Sequence, residues 1–402
     1  MITVWFIGLA IGGAFYLFFT GLALWGLFHL RERRLQSAAT TKVVTPEQPI
    51  THTTTTKVVA PVSIIIAARD EENHIAATLE HLLHQAYAPD RYEIIAVDDR
   101  STDRTAEIMA AYQAKDPRLR LIRQTSVDLN RSPKRQALER AIAEAKGEII
   151  AVTDADCKPD PDWLSNLIEP FAFGADMAVG QARFEIDLRS PWWQRLQALD
   201  FQAQMVAAAG LTAVGMPFNC SGASLAYRRE AFFSVRGWDG YDHLISGDDE
   251  LLMAKFVQNK LSIRATIGKD SIVWSAPPQN LRELWRQRVR WGSKGLNYHP
   301  SRSIILAGVF LFYLALSGLP LILLMGRPAL WGVLALSIKM ILDALVLYYG
   351  KLLWGDKINP LIFISTELLH PPAIVAFVLA GHLLPLKWKG QRYNVTPKGR
   401  AC

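Results

Sequence analysis

Cysteine is scarce in this chain: Cys157, Cys220 and Cys402 are the only three in 402 residues, and they stand far apart. That spacing excludes a disulfide framework, offers no zinc-ligand pattern, and fits a reducing compartment. Nucleic-acid-binding motifs are missing too, although 44 Lys and Arg face 37 Asp and Glu for a formal net charge of +7. A basic balance without such a motif argues against nucleic acid and for anionic lipid or phosphate-bearing ligands. Charge is absent from Val4 to Leu30, which holds no Lys, Arg, Asp or Glu. Acid is absent again at the other end, where Lys387, Lys389, Arg392, Lys398 and Arg400 have no acidic neighbour.

Apolar sequence stands at both ends of an ordinary globular mixture, and it brings the hydrophobic share to 50%. A bilayer core takes about 20 apolar residues in a helix. Val4 to Leu30 exceeds this; it is too long for the core of a signal peptide, and no small-residue cleavage site follows. Arg31, Arg33 and Arg34 come next. Basic flanks stay cytosolic, which places Met1 outside and the chain from Pro61 onward in the cytosol of an integral membrane protein, as in a bacterial inner membrane. Leu35 to Ala60, with Thr53 to Thr56, reads as a polar tether.

Three more apolar stretches follow: Ser303 to Met325, Ala329 to Gly350 and Leu361 to Leu386. Three full crossings would put the tail outside, against its basic charge. Glu367, His370, Pro371 and Pro372 interrupt the third stretch, and a re-entrant or broken helix there would reconcile the two signals. Lys339 and Asp343 share a helix face in the second stretch. They read as a mutually neutralising pair or as groups beside an acceptor path.

Between the ends, Val62 to Ala67, Glu93 to Val97, Leu119 to Ile122 and Glu148 to Thr153 are short apolar runs of the kind buried on both faces of a parallel sheet. Helical patterns separate them: Ile75 to Leu83, Ala106 to Ala114 and Gln136 to Lys146. The alternation predicts an α/β, Rossmann-like doubly wound sheet, whose ligands sit at the carboxyl ends of the strands. Acidic clusters fall at those ends. Asp154-Ala155-Asp156 can present hard oxygen ligands to Mg²⁺ or Mn²⁺, although a solvated acidic turn would look the same.

In order along the chain stand VSIIIAARDEEN, VDDRSTDRT, SPKRQAL, TDADCKPDPDWL, CSGASLAYRREAF, SGDDELL and QRVRW. From Val62 through Trp291 this set resembles glycosyltransferase family 2, a GT-A fold, in its membrane-bound Q-x-x-R-W branch. That branch includes polysaccharide synthases and ceramide glucosyltransferase-like enzymes. The resemblance implies metal-dependent, inverting transfer of a sugar from a nucleotide-sugar donor, most commonly a UDP-sugar.

Carried over by position, Ala67, Arg69 and Glu71 line the donor pocket, Asp98 and Asp99 recognise base or ribose, and Lys134 lies near the diphosphate. Asp154 and Asp156 become the metal ligands. Glu139 stands where the family commonly has Asn. Cys220, Ser221 and Gly222 resemble the wall of the acceptor pocket. Asp248 aligns as the base that deprotonates the acceptor. Gly247 replaces the usual Glu, so Asp249 remains a rival. Gln287, Arg290 and Trp291 share a helix face, with Arg290 suited to diphosphate oxygens and Trp291 to a sugar ring. Leu281, Leu284, Trp285 and Val289 with Arg282, Arg286 and Arg288 also fit an interfacial helix on anionic lipid. Trp192-Trp193 with Leu196, Leu199 and Phe201 reads as a further membrane-facing helix.

The organisation expected is an anchor (1–34), a linker (35–60), the catalytic domain (61–278), an interfacial helix (279–300), a C-terminal membrane region (301–386) and a basic tail (387–402). The activity expected is transfer to a lipid or lipid-linked acceptor. A processive synthase extending a growing glycan, and a non-catalytic protein with a degenerate domain, are the alternatives.

Overall fold

The computed structural model describes residues 2–42, 60–128, 131–241, 244, 246–293, 300–326, 329–384, 386–388 and 391–393. The chain begins with α1 (Ile2–Lys42), a single helix that runs past Arg34 into the expected tether. Residues 43–59 of that tether, Thr53 to Thr56 included, lie outside the described residues, as do Lys389, Lys398 and Arg400 of the basic tail. Next, β1 (Val62–Ala68), α2 (Ile75–Leu83), β2 (Tyr92–Asp99), α3 (Thr105–Gln113), β3 (Leu119–Gln124), α4 (Pro133–Glu144) and β4 (Ile149–Val152) alternate as the pattern predicts. β1 pairs in parallel with β2 and β4, and β2 with β3. Ile64 and Ile66 join one core layer with Leu79 and Leu82 of α2, while Ile65 joins the other with Leu138 and Ile142 of α4. Burial on both faces is why this strand reads as unbroken apolar sequence.

The second half departs from parallel alternation. It comprises β5 (Cys157–Pro159), α5 (Trp163–Ile168), β6 (Met177–Val179), β7 (Gln181–Phe184), α6 (Trp192–Ala213), β8 (Leu225–Arg228), α7 (Arg229–Ser234), α8 (Asp248–Gln258), β9 (Ile263–Ala265) and β10 (Ile272–Ser275). β8 runs antiparallel to both β4 and β6, so the sheet, ordered β3-β2-β1-β4-β8-β6-β9, is mixed. Strand order reverses between β1 and β4, which leaves a crevice at their carboxyl ends.

The remainder is α9 (Leu281–Gly292), α10 (Pro300–Ser317), α11 (Leu319–Leu324), α12 (Leu330–Trp354), α13 (Pro360–Leu383) and a hairpin of β11 (Leu386–Trp388) and β12 (Gln391–Tyr393). Among the described residues, four spans are long and apolar enough to cross a membrane: Ile2–Gln36, Arg302–Leu324, Leu330–Trp354 and Pro360–Leu383. The last is continuous through Pro371 and Pro372, and not the broken segment expected. Close packing against its neighbours can hold a proline-containing helix of this kind together. A Cβ on Gly381 would lie 2.7 Å from the Val289 carbonyl of α9, so the end of α13 lies directly on α9.

Polar contacts tie these helices together. Arg34 donates to the carbonyls of Leu352 (2.9 Å) and Leu353 (2.6 Å), which the end of α12 leaves without helical partners. Lys339 pairs with Asp343 (2.8 Å), as its spacing predicts, and also with Glu367 of α13 (2.6 Å). Tyr16 of α1 donates to Asp343.

α6 carries the catalytic domain onto this bundle. Trp192 is exposed as expected, but Leu199 and Phe201 are buried, because α6 packs between the domain and α1, α12 and α13. Near its carboxyl end Gly210 meets α1: a Cβ there would lie 2.2 Å from the Ala23 carbonyl, and one on Gly26 would lie 1.9 Å from the Gly210 carbonyl. Small residues of this kind let helix backbones approach closely. Gly210→Ala therefore forces the two helices apart, with an expected loss of about 1–3 kcal/mol, typical of overpacking. The melting midpoint of the detergent-purified protein should fall; an unchanged midpoint would contradict the contact.

Candidate active site

The turns after β1 and β2 brace each other before they offer anything to a ligand. Asp70 and Arg100 both adopt positive φ (52° and 56°), a conformation uncommon for non-glycine residues and frequent at functional sites. The Asp70 carboxylate accepts from the Thr102 backbone N–H (2.8 Å) and hydroxyl (3.1 Å), and the Glu72 N–H donates to Asp103 (3.0 Å). Asp98 is also used structurally: its carboxylate accepts from the Ser101 N–H (3.3 Å), and it does not line the cavity. This corrects its expected place in the donor pocket. Successive strand side chains point to opposite faces, so Asp99 and not Asp98 turns inward. Asp99 is held by Arg100 (2.9 Å) and Gln124 (3.1 Å).

A cavity of about 930 Å³ opens at the crevice between β1 and β4. Ala67, Arg69, Glu71, Asp99, Lys134, Asp154, Asp156, Cys220, Ser221, Gly222, Asp248, Asp249, Gln287, Arg290 and Trp291 all line it. The structure thus brings together every expected site residue except Asp98.

Lys134, in the first turn of α4, donates to Asp154 (2.7 Å) and lies 3.1 Å from Asp248. Burial works against its charge, but the two carboxylates hold its pKa above the usual lysine value. Burial, with the charges of Asp154 and Glu71, pushes Asp156 up to about 7. Asp154, Asp156 and Cys157 place their ligand atoms within 4.8 Å of one another. Burial and the adjacent Asp156 and Asp154 raise the Cys157 thiol well above its ordinary value, which leaves the two hard carboxylates as the donors suited to a divalent cation.

Gly247 enters α8 at φ 91°, a left-handed turn that favours glycine and accounts for its presence where the family has Glu. Behind it, Asp249 accepts from the backbone N–H groups of Gly222 (2.9 Å) and Glu250 (2.8 Å). Arg290 donates to Ser246 (3.0 Å), and its burial lowers its pKa despite the carboxylates of Asp248 and Asp249. Gln287 accepts from Gln197 of α6 (2.7 Å).

Arg288 corrects the expected lipid-facing stripe of α9. Leu281 and Trp285 are exposed, but Arg288 is buried, 2.5 Å from Asp200 of α6, and its guanidinium lies 4.9 Å from the Trp291 ring centroid. Asp200 also lies 3.1 Å from His370 of α13. Neither Asp200 nor His370 was assigned a site role from sequence, since neither belongs to a local motif. Burial opposes the Asp200 charge, but Arg288 and His370 hold its carboxyl below the usual range.

The chain matches the family described as Glycosyl transferase family 2 over residues 63–233, and Glycosyl transferase family group 2 over residues 149–381. A beta-monoglucosyldiacylglycerol synthase from a Nostoc species is 28% identical over 245 residues, 58% of this chain and 48% of its own. A poly-beta-1,6-N-acetyl-D-glucosamine synthase from Staphylococcus aureus is 25% identical over 237 residues, 58% of this chain and 54% of its own. This chain therefore spans about half the length of the curated relatives it matches. The fold is shared with the mannosyltransferase PcManGT from Pyrobaculum calidifontis, solved with GDP-Man and Mn²⁺: TM-score 0.54, 20% identity, 94% of this chain and 99% of that one.

A carboxyl depressed on folding contributes stability above its unfolded pKa, and that contribution is lost as pH falls toward the folded value. The melting midpoint should accordingly drop as pH falls below about 4, the unperturbed Asp value. Asp200→Asn strands the buried Arg288 and should cost about 3–5 kcal/mol at neutral pH, with a flatter acid slope. A variant melting like wild type from pH 7 to pH 3 would show that the pair holds nothing together.

Proposed function

The chain belongs to the family 2 glycosyltransferases, and from that premise we propose that it moves a sugar, with inversion, from a nucleotide-sugar donor to a lipid acceptor at the membrane. The observation that carries this reading is one cavity reaching from the carboxylates at the strand ends to α1, α10 and α13. Its far wall is apolar, which suits hydrocarbon chains better than a hydroxyl-rich glycan. The name of the Nostoc relative, a glucosyldiacylglycerol synthase, supports a lipid acceptor.

In this reading Asp99 and the turn from Ala67 to Glu71 hold the nucleoside, and Lys134 and Arg290 bind diphosphate oxygens. Mg²⁺ or Mn²⁺ on Asp154 and Asp156 would offset the charge of the diphosphate leaving group. The ligand oxygens of Asp154 and Asp156, within 4.8 Å of each other at the strand exit, are the observation that supports this fit. Trp291 presents a flat face to the sugar ring.

Asp248 takes the proton from the acceptor hydroxyl. Asp249 is the weaker candidate, because both of its oxygens accept from backbone N–H groups. Asp248 stands beside Lys134, which also bonds Asp154, so the base and the donor end share one cation.

Removing the base should lower turnover about 10²- to 10⁴-fold. Nucleoside diphosphate release by detergent-purified protein with Mn²⁺ checks this for Asp248→Asn, with Asp156→Ala expected to be inactive. A wild-type rate for Asp248→Asn together with loss in Asp249→Asn would transfer the role to Asp249. Full activity in Asp156→Ala would refute the metal assignment.

A further inference from the structure

The two ends of the cavity differ in chemistry. Among the described residues that line it, every Lys, Arg, Asp and Glu lies on the donor side, from Arg69 and Glu71 to Arg290. Beyond Trp291 the wall is built by Phe19 of α1, Leu211 of α6, Leu306 and Phe310 of α10, and Ile374 and Val378 of α13. Polar groups on that side are uncharged hydroxyls and amides, such as Thr20, Gln204 and Tyr313, together with His370 and His382. Among the described residues, Arg288, paired with Asp200, and two further cations stand near it without lining it. Arg302 donates to the Phe218 carbonyl and lies 4.7 Å from the centroid of its ring, and Lys339 is fully buried between Asp343 and Glu367.

We propose that this membrane-side half binds the hydrocarbon chains of an uncharged, hydroxyl-terminated lipid, and that this lipid, not a lipid phosphate, is the acceptor. The proposal rests on the transferase reading above and names its substrate class.

The charge distribution carries the argument. An anionic headgroup drawn into the cavity needs a cation to replace its lost hydration. Lys134 and Arg290 already face Asp154, Asp248 and Asp249 at the donor end, where the diphosphate must go. A second phosphate there would compete with the donor and crowd the acids. A neutral head meets no such cost, and its oxygens find partners in Tyr313 and in His370, which Asp200 holds at 3.1 Å.

The reaction chemistry agrees. A phosphate monoester is already ionised near neutral pH and needs no base, whereas an alcohol does. In the proposed step the lipid O–H breaks and its proton goes to the Asp248 carboxylate. The oxygen bonds to the anomeric carbon as the bond from that carbon to the diphosphate oxygen breaks, and nucleoside diphosphate leaves.

The test uses the full chain in mixed micelles with Mn²⁺ and labelled UDP-glucose, UDP-N-acetylglucosamine or GDP-mannose. The micelles contain either dioleoylglycerol or a polyprenyl phosphate. Transfer to dioleoylglycerol at least ~10-fold above the polyprenyl phosphate is expected. Ala307→Trp narrows the exposed rim of the cavity without touching the core. It should cut transfer to dioleoylglycerol and binding of a fluorescent diacylglycerol ~10-fold, while UDP binding and melting stay at wild-type values.

Equal or better transfer to the polyprenyl phosphate would overturn the proposal, and so would undiminished lipid transfer by Ala307→Trp. Donor turnover onto soluble sugars or water alone would overturn it while leaving the transferase reading intact. No turnover of any donor, with or without lipid, would defeat that reading itself.

Discussion

Lys134 stands between Asp154, at the exit of β4, and Asp248, at the start of α8, and the shape of the pocket depends on that bridge. Seven carboxylates line the cavity: Glu71, Asp99, Asp154, Asp156, Asp248, Asp249 and Glu250. At such separations, in a partly buried site, like charges repel by several kcal/mol per pair before screening. Lys134, Arg290 and the backbone N–H groups of Gly222 and Glu250 are what let the acids converge. Burial, with the charges of Asp154 and Glu71, raises the carboxyl of Asp156, the acid that these cations and N–H groups leave least compensated.

The same economy of charge links the site to the membrane helices. Arg288 looks like part of a basic lipid-facing stripe, yet it turns inward to Asp200, and Asp200 reaches His370 on α13. Three helices, α6, α9 and α13, therefore meet at one carboxylate directly behind the Trp291 face. Close backbone contacts join α6 to α1 at Gly210 and α13 to α9 at Gly381, so the bundle and the catalytic domain share a wall. A donor bound at the strand ends and an acceptor held between helices can then meet without leaving a single cavity.

The parallel core was legible because Val62 to Ala68 and Tyr92 to Asp99 are buried on both faces, and such strands show as apolar runs that stop at acids. The antiparallel insertion was not: β6 and β8 are three and four residues long, too short for a period to declare itself. The order of motifs led to nearly all of the pocket, since most of them sit at a strand exit or a helix start, with Gln287 to Trp291 in the last turns of α9 as the exception. It misplaced Asp98 because a motif does not say which of two adjacent strand residues faces inward. Asp200 and His370 lay beyond reach, since their meaning comes from a contact across 170 positions that no local pattern encodes. The continuity of α13 was hidden for a related reason: the contacts that support Pro371 and Pro372 belong to other helices.

The central claim is transfer of one sugar to a lipid. Its most direct test is mass spectrometry of the organic extract after the purified full chain is incubated with Mn²⁺, a panel of nucleotide sugars and total membrane lipid. The account predicts a lipid species heavier by a single hexose or N-acetylhexosamine, formed in step with nucleoside diphosphate. A ladder of successive sugars, or nucleoside diphosphate released with no glycolipid formed, would contradict it.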